Sequence, residues 1–569
     1  MTSFPSRAAL IATLVALAPA ASAQTIPEGT AGAYLAARNA AAASDFEPAA
    51  RYFGEALQGN PDDPQLLESA AISHVALNQF DRAEAYARRL AEADIASQVG
   101  SLVRVAAAAK AGRWDDILSP EKPIAVSPLF DSLAEAWAMV GAGDMTRALE
   151  AFDEVSETEG MRSYGLLHKG LAFGTVGDFE GALEILSDPG DGTVAFSPRA
   201  AIAQAQMLSQ LDRNEAALEL LDEVFGATVD PGITDLRDRL QAGASLPYDV
   251  VPDAAAGVAE TAFMIGSLLA SEAREEYILL YARAAQHLNP AHIDAILLSA
   301  ELLQQMDRFE LASDTFAQVP TADPAYPAAE LGRVDNLVYL EQTEAAIEVA
   351  DALARSHPDL PFVQSRLGDV LRGADRFDDA YDAYSRAIDL YPASDPNLWI
   401  IHYSRAIAAF DMDDWTAAEA DFRRALELEP GRPEVLNFLG YSLVERGEKL
   451  DEALDMIERA VEARPQSGAI IDSLGWVYFK LGRYRDAVEP LESAAALEAT
   501  DPVVNDHLGD AYWAVGRRRE ARFQWQRALS FDPDEDLATR IRAKLSDGLD
   551  AVREAEGEPP ITLAEDTAE

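Results

Sequence analysis

The segment 470–494 reads IIDSLGWVYFKLGRYRDAVEPLESA, and a variation on it, VNDHLGDAYWAVGRRREARFQWQRA, begins thirty-four residues later at 504–528. Both copies hold a Leu-Gly step, a tyrosine and two alanines at equivalent positions, namely Leu474, Gly475, Tyr478, Ala487 and Ala494, then Leu508, Gly509, Tyr512, Ala521 and Ala528. The side chains between these positions differ from copy to copy. We interpret the shared positions as packing residues and the variable positions as candidates for function.

The same spacing extends upstream. Small residues recur at intervals of 34 to 38 residues, at Gly368, Ala406, Gly440, Gly475 and Gly509. Alanines, a bulky residue and usually a proline follow each of them. Two helices approach closely only where side chains are small, and a proline stops a helix from running into the next unit. The pattern therefore predicts tandem helix-turn-helix units.

This pattern resembles the tetratricopeptide repeat, whose signature is W-x2-L-G-x2-Y, then A-x3-F, then P. Ile471 and Asn505 stand where that signature has its first tryptophan. The resemblance implies an all-α solenoid of tandem tetratricopeptide units. The apolar stripe of Leu537, Ile541 and Leu545 favours a helix that caps the last unit, because the end of a solenoid must be covered.

The first residues favour an exported protein. Arg7 precedes the apolar stretch AALIATLVALA, and PAASAQ offers Ala21 and Ala23 as small residues before a cleavage site. A membrane anchor is the alternative reading of this stretch. The chain has no cysteine, hence no disulfide and no residue for a lipid anchor after the signal. We expect a periplasmic protein, peripheral at most to the outer membrane, with no transmembrane segment in the mature chain.

The repeat pattern and its interruptions predict six segments. They are a signal peptide (1–23), a degenerate N-terminal array of about six units (24–225), a break or hinge rich in proline and glycine (226–257), a second array of about eight units (258–534), a capping helix (535–556) and an acidic disordered tail (557–569).

Charge and motifs argue against several function classes. The 569 residues carry a formal net charge of −51, which repels nucleic acid. The seven histidines form no H-x-x-x-H pair, and neither a phosphate-binding loop nor a serine-nucleophile elbow is present. We expect a protein that is not an enzyme and has no metal or cofactor.

The variable positions of the last three units supply the candidate site. On the first helix of a unit, residues at i, i+4 and i+7 share one stripe, and in a solenoid these stripes line the concave face. The expected partner-binding residues are Asn437, Tyr441, Asp472, Trp476, Phe479, Lys480, Asp506, Asp510 and Trp513. The stripe combines acids with aromatic rings, so a basic, aromatic or unfolded segment is the expected ligand.

Two alternatives stay open. Trp476 and Trp513 are expected to be partly exposed, but they could pack between neighbouring units. A second patch is formed by arginines that either balance nearby acids or dock a partner, and these are Arg517, Arg518, Arg519 and Arg522.

The stretch from about residue 434 to 533, with VLNFLGYSL, LDEALDMIERAV and VGRRREARFQWQRAL, is similar to exported proteobacterial tetratricopeptide proteins. That group includes the lipoprotein partner of the carboxyl-terminal processing protease. The resemblance implies a non-catalytic periplasmic adaptor that binds protein or peptide partners in its groove and brings a periplasmic protease together with its substrates. A periplasmic protease or a cell-wall hydrolase is the expected partner. A structural scaffold in an envelope assembly or polysaccharide export machine is the alternative. The sequence leaves the oligomeric state undetermined.

Overall fold

A computed structural model describes residues 30–186, 198–226, 230–558 and 561 of the chain. The predicted signal peptide and ten of the thirteen residues of the predicted tail lie outside these residues. Every regular element in the described part is a helix, and together they form two compact units that divide between Ala346 and Ile347. That division falls within a single helix, Thr343–Ser356.

The first unit is a series of antiparallel hairpins. Its helices are α1 (Thr30–Ala42), α2 (Phe46–Gly59), α3 (Pro64–Ala76), α4 (Phe80–Glu92), α5 (Gln98–Lys110), α6 (Asp115–Leu118), α7 (Pro128–Gly141), α8 (Met145–Glu157), α9 (Arg162–Thr175), α10 (Phe179–Leu186), α11 (Pro198–Gln210), α12 (Asn214–Phe225), α13 (Pro231–Gln241), α14 (Ala254–Leu269), α15 (Glu275–Leu288), α16 (Ile293–Gln305), α17 (Phe309–Phe316) and α18 (Tyr326–Tyr339), with α19 (Thr343–Ser356) crossing the division.

The second unit continues with hairpins and ends in two further helices. Its helices are α20 (Pro361–Gly373), α21 (Phe377–Leu390), α22 (Leu398–Asp411), α23 (Trp415–Leu428), α24 (Pro433–Glu445), α25 (Leu450–Ala463), α26 (Gly468–Lys480), α27 (Tyr484–Leu497), α28 (Pro502–Ala514), α29 (Arg518–Leu529), α30 (Glu535–Asp547) and α31 (Leu549–Ala555). The predicted fold class, an all-α solenoid of tandem helix-turn-helix units, is confirmed.

The recurring glycines sit where the two helices of a hairpin cross. A Cβ atom on Gly475 would lie 2.4 Å from Leu491 Cγ, and one on Gly509 would lie 2.4 Å from Trp525 Cδ1. Real Cβ atoms do not approach other atoms so closely, so only glycine allows these crossings at the observed distance. Gly482, in the turn after α26, has φ of 75°, a conformation that favours glycine. Both features follow from the repeat pattern.

In the first unit the chain folds back over its own first helices. Helices α14 and α15 pack against α3, α5, α7 and α9. At the crossing of α14 with α7, a Cβ atom on Gly257 would lie 2.1 Å from Trp137 Cδ2. From α15, the buried Arg283 donates a hydrogen bond of 3.0 Å to the carbonyl oxygen of Ala76. This face of the first unit is therefore filled by the protein itself.

The predicted hinge at 226–257 lies within the first unit. It contains α13, and its Leu246 and Val251 are buried. Its proline and glycine content marks turns, whereas the tertiary contacts hold the segment against the hairpins beside it. The location of a hinge in this chain stays a prediction.

The capping segment at 535–556 forms two helices instead of one. Gly548 separates α30 from α31 with φ of 87°, a backbone conformation that ends a right-handed helix. Ile541 in α30 and Leu549 in α31 are both fully buried in the core of the second unit. None of the described helices is both long enough and apolar enough to cross a membrane.

Candidate functional site

The nine stripe residues predicted from sequence lie on α24, α26 and α28, the first helices of the last three hairpins. Most of them are more buried than expected. Asn437, Tyr441, Lys480 and Trp513 are partly exposed, whereas the other five are buried. The groups that cover the five buried residues determine which part of this face is accessible to a ligand.

Trp476 and Phe479 form an aromatic stack inside the unit. Their rings are parallel within 4°, with centroids 4.9 Å apart, and their exposed fractions are 4% and 2%. The imidazole of His507, from α28, also stacks on Trp476 at 3.9 Å. The expectation that Trp476 is partly exposed is therefore wrong, and the alternative, packing between neighbouring units, is what the structure shows. The same expectation is confirmed for Trp513.

Asp472 is buried as the partner of His507. Its Oδ2 lies 2.8 Å from His507 Nδ1. Burial by itself disfavours the charged imidazolium, but the carboxylate of Asp472, with Asp506 and Asp510 behind it, outweighs burial and raises the pKa of His507. The pair joins α26 to α28, so Asp472 stabilises the stacking of units.

Asp506 and Asp510 are neutralised by the end of the chain. Lys544 of α30, fully buried, donates hydrogen bonds of 2.7 Å to Asp506 Oδ2 and to Asp510 Oδ2. Asp510 Oδ1 also accepts a hydrogen bond of 2.9 Å from the indole N–H of Trp525. The guanidinium of Arg540 lies 3.7 Å from Asp506. These acids, which suggested a basic ligand, already have internal cations.

Trp513 lies at the edge of this buried cluster. Its indole N–H donates a hydrogen bond of 2.9 Å to Asp550 of α31, and the guanidinium of Arg518 lies 3.8 Å from its ring centroid. The ammonium of Lys480, on the neighbouring α26, lies 5.2 Å from the ring centroid of Trp476 and 3.5 Å from the carboxylate of Glu558. Helix α31 and the residues after it therefore lie against the predicted stripe.

The upstream part of the face is more open. In α22, the large apolar side chains of Ile400 and Phe410 are 43% and 38% exposed. Phe410 makes an edge contact with Phe438 of α24, with centroids 5.3 Å apart. Tyr441, farther along α24, is partly exposed, and burial raises the pKa of its hydroxyl. Helices α22 and α24 thus carry aromatic and aliphatic side chains that are exposed or partly exposed.

Family comparison identifies the repeating unit. The model of the tetratricopeptide repeat matches residues 34–98, 331–395 and 403–468. The chain contains tetratricopeptide repeats. Proteins built from this repeat are generally protein-interaction adaptors, and the matched segment 403–468 includes Phe410 and all of α24.

Two relatives share parts of the repeat array. A TPR repeat-containing protein of Pseudomonas aeruginosa is 31% identical over 185 residues, which are 32% of this chain and 30% of that protein. Tetratricopeptide repeat protein 13 of Homo sapiens is 24% identical over 139 residues, which are 24% of this chain and 16% of that protein. The chain therefore spans less than a third of the length of each relative.

Solved structures with tetratricopeptide repeats are also similar. The Cut9–Hcn1 hetero-tetramer of the APC/C is 14% identical with a TM-score of 0.38, and the match covers 92% of this chain and 96% of that chain. A tetratricopeptide protein of Thermus thermophilus is 25% identical with a TM-score of 0.28, and its match covers 33% of this chain and 100% of that chain.

The arginine patch of the last tetratricopeptide unit is exposed, and most of its members have partners within the protein. Arg517 pairs with Glu492 at 2.8 Å, and Arg522 donates to the carbonyl oxygen of Leu545 at 2.6 Å. Arg518 pairs with Asp550 at 3.3 Å, whereas Arg519 is exposed to solvent. These contacts agree with the interpretation that the arginines balance nearby acids, and a docking role for the patch stays a prediction.

Sequence reasoning missed the two cations that close the stripe. Arg540 and Lys544 follow Asp506 and Asp510 by thirty-four residues each, which is the repeat spacing. Applying that spacing once more past Pro533 would have placed both cations on the next stripe, beside the acids. Among the described residues, no three histidine or acidic side chains are grouped so that they could hold a metal ion.

Proposed function

We propose that this protein is an exported periplasmic adaptor that holds a protein or peptide partner on the first-helix face of its second unit. The exposed apolar surface of α22 and α24 carries the proposal. Ile400 and Phe410 keep 43% and 38% of their surface in water, although large apolar side chains gain free energy when they are covered. Exposed apolar patches of this kind mark sites of protein association.

The distribution of buried surface supports the second unit as the binding part. In the first unit α14 and α15 fill the corresponding face, whereas in the second unit α22 and α24 leave theirs accessible. The two units offer different surfaces to a partner. Their tandem arrangement in one chain suits an adaptor, because co-binding two proteins raises their effective concentration without any catalytic group.

The predicted export signal at 1–23 and the resemblance to exported tetratricopeptide proteins support the periplasm as the proposed compartment and a protease or cell-wall hydrolase as one proposed partner. Both bound proteins would be held by one chain. The adaptor itself contributes no chemical step.

Photo-crosslinking in cells tests the proposal. A photoreactive residue replaces Phe410, and a matched control replaces Phe523 of α29, an aromatic residue that is 62% exposed on a second helix. We expect position 410 to capture a periplasmic protease or its substrate, with capture lost on Ile400→Asp, and position 523 to capture neither. Capture of export-machine components at 410 would favour the scaffold instead. Capture of the protein alone, or equal capture at both positions, would contradict the adaptor.

A further inference from the structure

The segment 548–558, which we call the C-terminal strap, consists of Gly548, helix α31 and three residues after it. It lies across the first-helix face of α26 and α28. A Cβ atom on Gly548 would lie 2.5 Å from Trp513 Cζ2, so the backbone of the strap rests directly on the indole ring. Leu549 is fully buried, and Val552, one turn later, is 9% exposed. Two aliphatic side chains thus anchor the strap.

Three ion pairs complete the contact, and each has its acid on the strap and its base outside it. Asp550 lies 3.3 Å from Arg518, Glu556 lies 2.8 Å from Arg540, and Glu558 lies 3.5 Å from Lys480. The surface beneath the strap is therefore basic and aromatic at its edges. The acids of its floor, such as Asp510, are already neutralised by the buried Lys544.

The strap is weakly held compared with the repeats. A helix of seven residues is too short to be stable without tertiary contacts, and the glycine before it separates it from α30. Both members of each ion pair keep between 20% and 54% of their side-chain surface exposed, and such pairs contribute little. The hairpins supply most of the buried core of the second unit, to which the strap adds Leu549 alone.

Arg553, the only basic residue of the strap, is buried between its own segment and α26. Arg553 pairs with Glu558 at 2.9 Å, and its guanidinium lies 5.6 Å from the Phe479 ring centroid. With four acids and this one base, the strap carries a net negative charge. A ligand that replaces it meets Arg518, Arg540 and Lys480.

We propose that the strap is an internal occupant of the partner face, and that a short acidic helix with two aliphatic residues one turn apart displaces it. This inference rests on the proposed function and names the ligand class. It differs from the basic ligand that the sequence favoured, because the acids responsible for that expectation are paired inside the protein. Displacement would extend the open surface of α22 and α24 onto α26 and α28.

A peptide-binding experiment on the full-length chain tests the inference. The opened variant carries Asp550→Lys, Glu556→Lys and Glu558→Lys, which set the strap against Arg518, Arg540 and Lys480. A control variant with the same change in net charge carries substitutions on exposed second helices, Asp451→Lys, Glu462→Lys and Glu489→Lys. The probe is a fluorescein-labelled peptide of residues 547–558, DGLDAVREAEGE, followed by fluorescence anisotropy.

We expect the peptide to bind the opened variant at least about tenfold more tightly than the wild-type or control chain. A peptide with the same three acids changed to lysine should not bind the opened variant. The net charge of −51 makes this comparison stringent, because the chain as a whole repels acidic peptides and attracts basic ones. Equal binding by all three proteins, or tighter binding of the lysine peptide, would overturn the inference.

A second measurement uses the unmodified chain and does not depend on the folding of a variant. Excess peptide should accelerate amide hydrogen exchange in α31 and leave exchange in α30 unchanged. Unchanged exchange in α31 would overturn the inference. Failure of both peptide experiments, with specific capture at position 410, removes the strap inference alone. Successful peptide binding without capture at 410 removes the adaptor function instead.

Discussion

Lys544 lies 2.7 Å from Asp510, one repeat length earlier in the chain, and has no exposed surface. The buried ammonium connects the capping helix α30 to the last tetratricopeptide unit. A stripe that would otherwise present two carboxylates to solvent is therefore closed by a cation from the next position in the repeat. This contact stabilises the packing of α30 on the last unit and offsets the negative charge of the buried acids.

We expect Lys544→Met to destabilise the region from α26 to α30 by about 3–5 kcal/mol, because Asp506 and Asp510 lose their cation while they stay buried. Hydrogen exchange by mass spectrometry measures the local free energy of opening. The matched control is Lys449→Met, since Lys449 pairs with Glu419 but keeps 46% of its side chain exposed. Its expected cost is below about 1 kcal/mol. Equal losses for both variants would contradict a buried charge cluster.

His507 gives the second unit a pH dependence. Its pKa is raised because Asp472 and the nearby acids outweigh its burial. A histidine with a raised folded pKa contributes stability that is complete below about pH 6.5, the unfolded value, and is lost as the pH rises through the folded value. Denaturation of wild type and His507→Gln should therefore differ most at low pH. A difference that is constant between pH 6 and 9 would rule this out.

His168 has the opposite effect in the first unit. Burial, opposed only by Glu260, lowers its pKa to about 4, and its Nδ1 accepts a hydrogen bond of 3.0 Å from Trp137. As the pH falls, the unfolded chain protonates this histidine before the folded chain does. The free energy of unfolding of the wild type should therefore fall by about 3 kcal/mol between pH 6.5 and pH 4. Urea denaturation should show a smaller loss for His168→Gln. The partly exposed His357 supplies the control, and an equal effect of His357→Gln would contradict this role.

Gly257 permits the close packing of α14 on α7. Gly257→Ala should destabilise the first unit by about 1–3 kcal/mol, because a methyl group would meet the ring of Trp137. Where there is space for the methyl group, a glycine-to-alanine substitution stabilises a helix. Gly373 of α20 is such a position, because no atom lies within 4 Å of where its Cβ atom would be. Thermal unfolding should show a lower midpoint for Gly257→Ala and no loss for Gly373→Ala. A stabilised Gly257→Ala protein would show that the contact is not tight.

The repeat architecture was predictable because its signal is local and recurs. The residue at a helix crossing, such as Gly475 or Gly509, must be small regardless of what packs outside the hairpin. The candidate site was less predictable. From sequence, Asp506 and Asp510 were expected to form an acidic ligand surface. The repeat pattern shows which side chains share a face of the helix, but it does not show that a later segment covers that face. The prediction that Trp476 is exposed was wrong for the same reason, because His507 of the next unit packs on its ring.

The sequence by itself determined an all-α chain of tetratricopeptide hairpins, with the crossing points, the turns and a capping segment in place. These features depend on contacts within one repeat or between neighbours, which a period of about thirty-four residues records directly. Only the tertiary structure decided which face is open. Arg283 reaches Ala76 across 207 residues, and α31 returns onto Trp513, by contacts between segments that no repeat relates. Long-range burial of this kind depends on how the repeats stack. It fills the first-helix face of the first unit and partly covers that of the second.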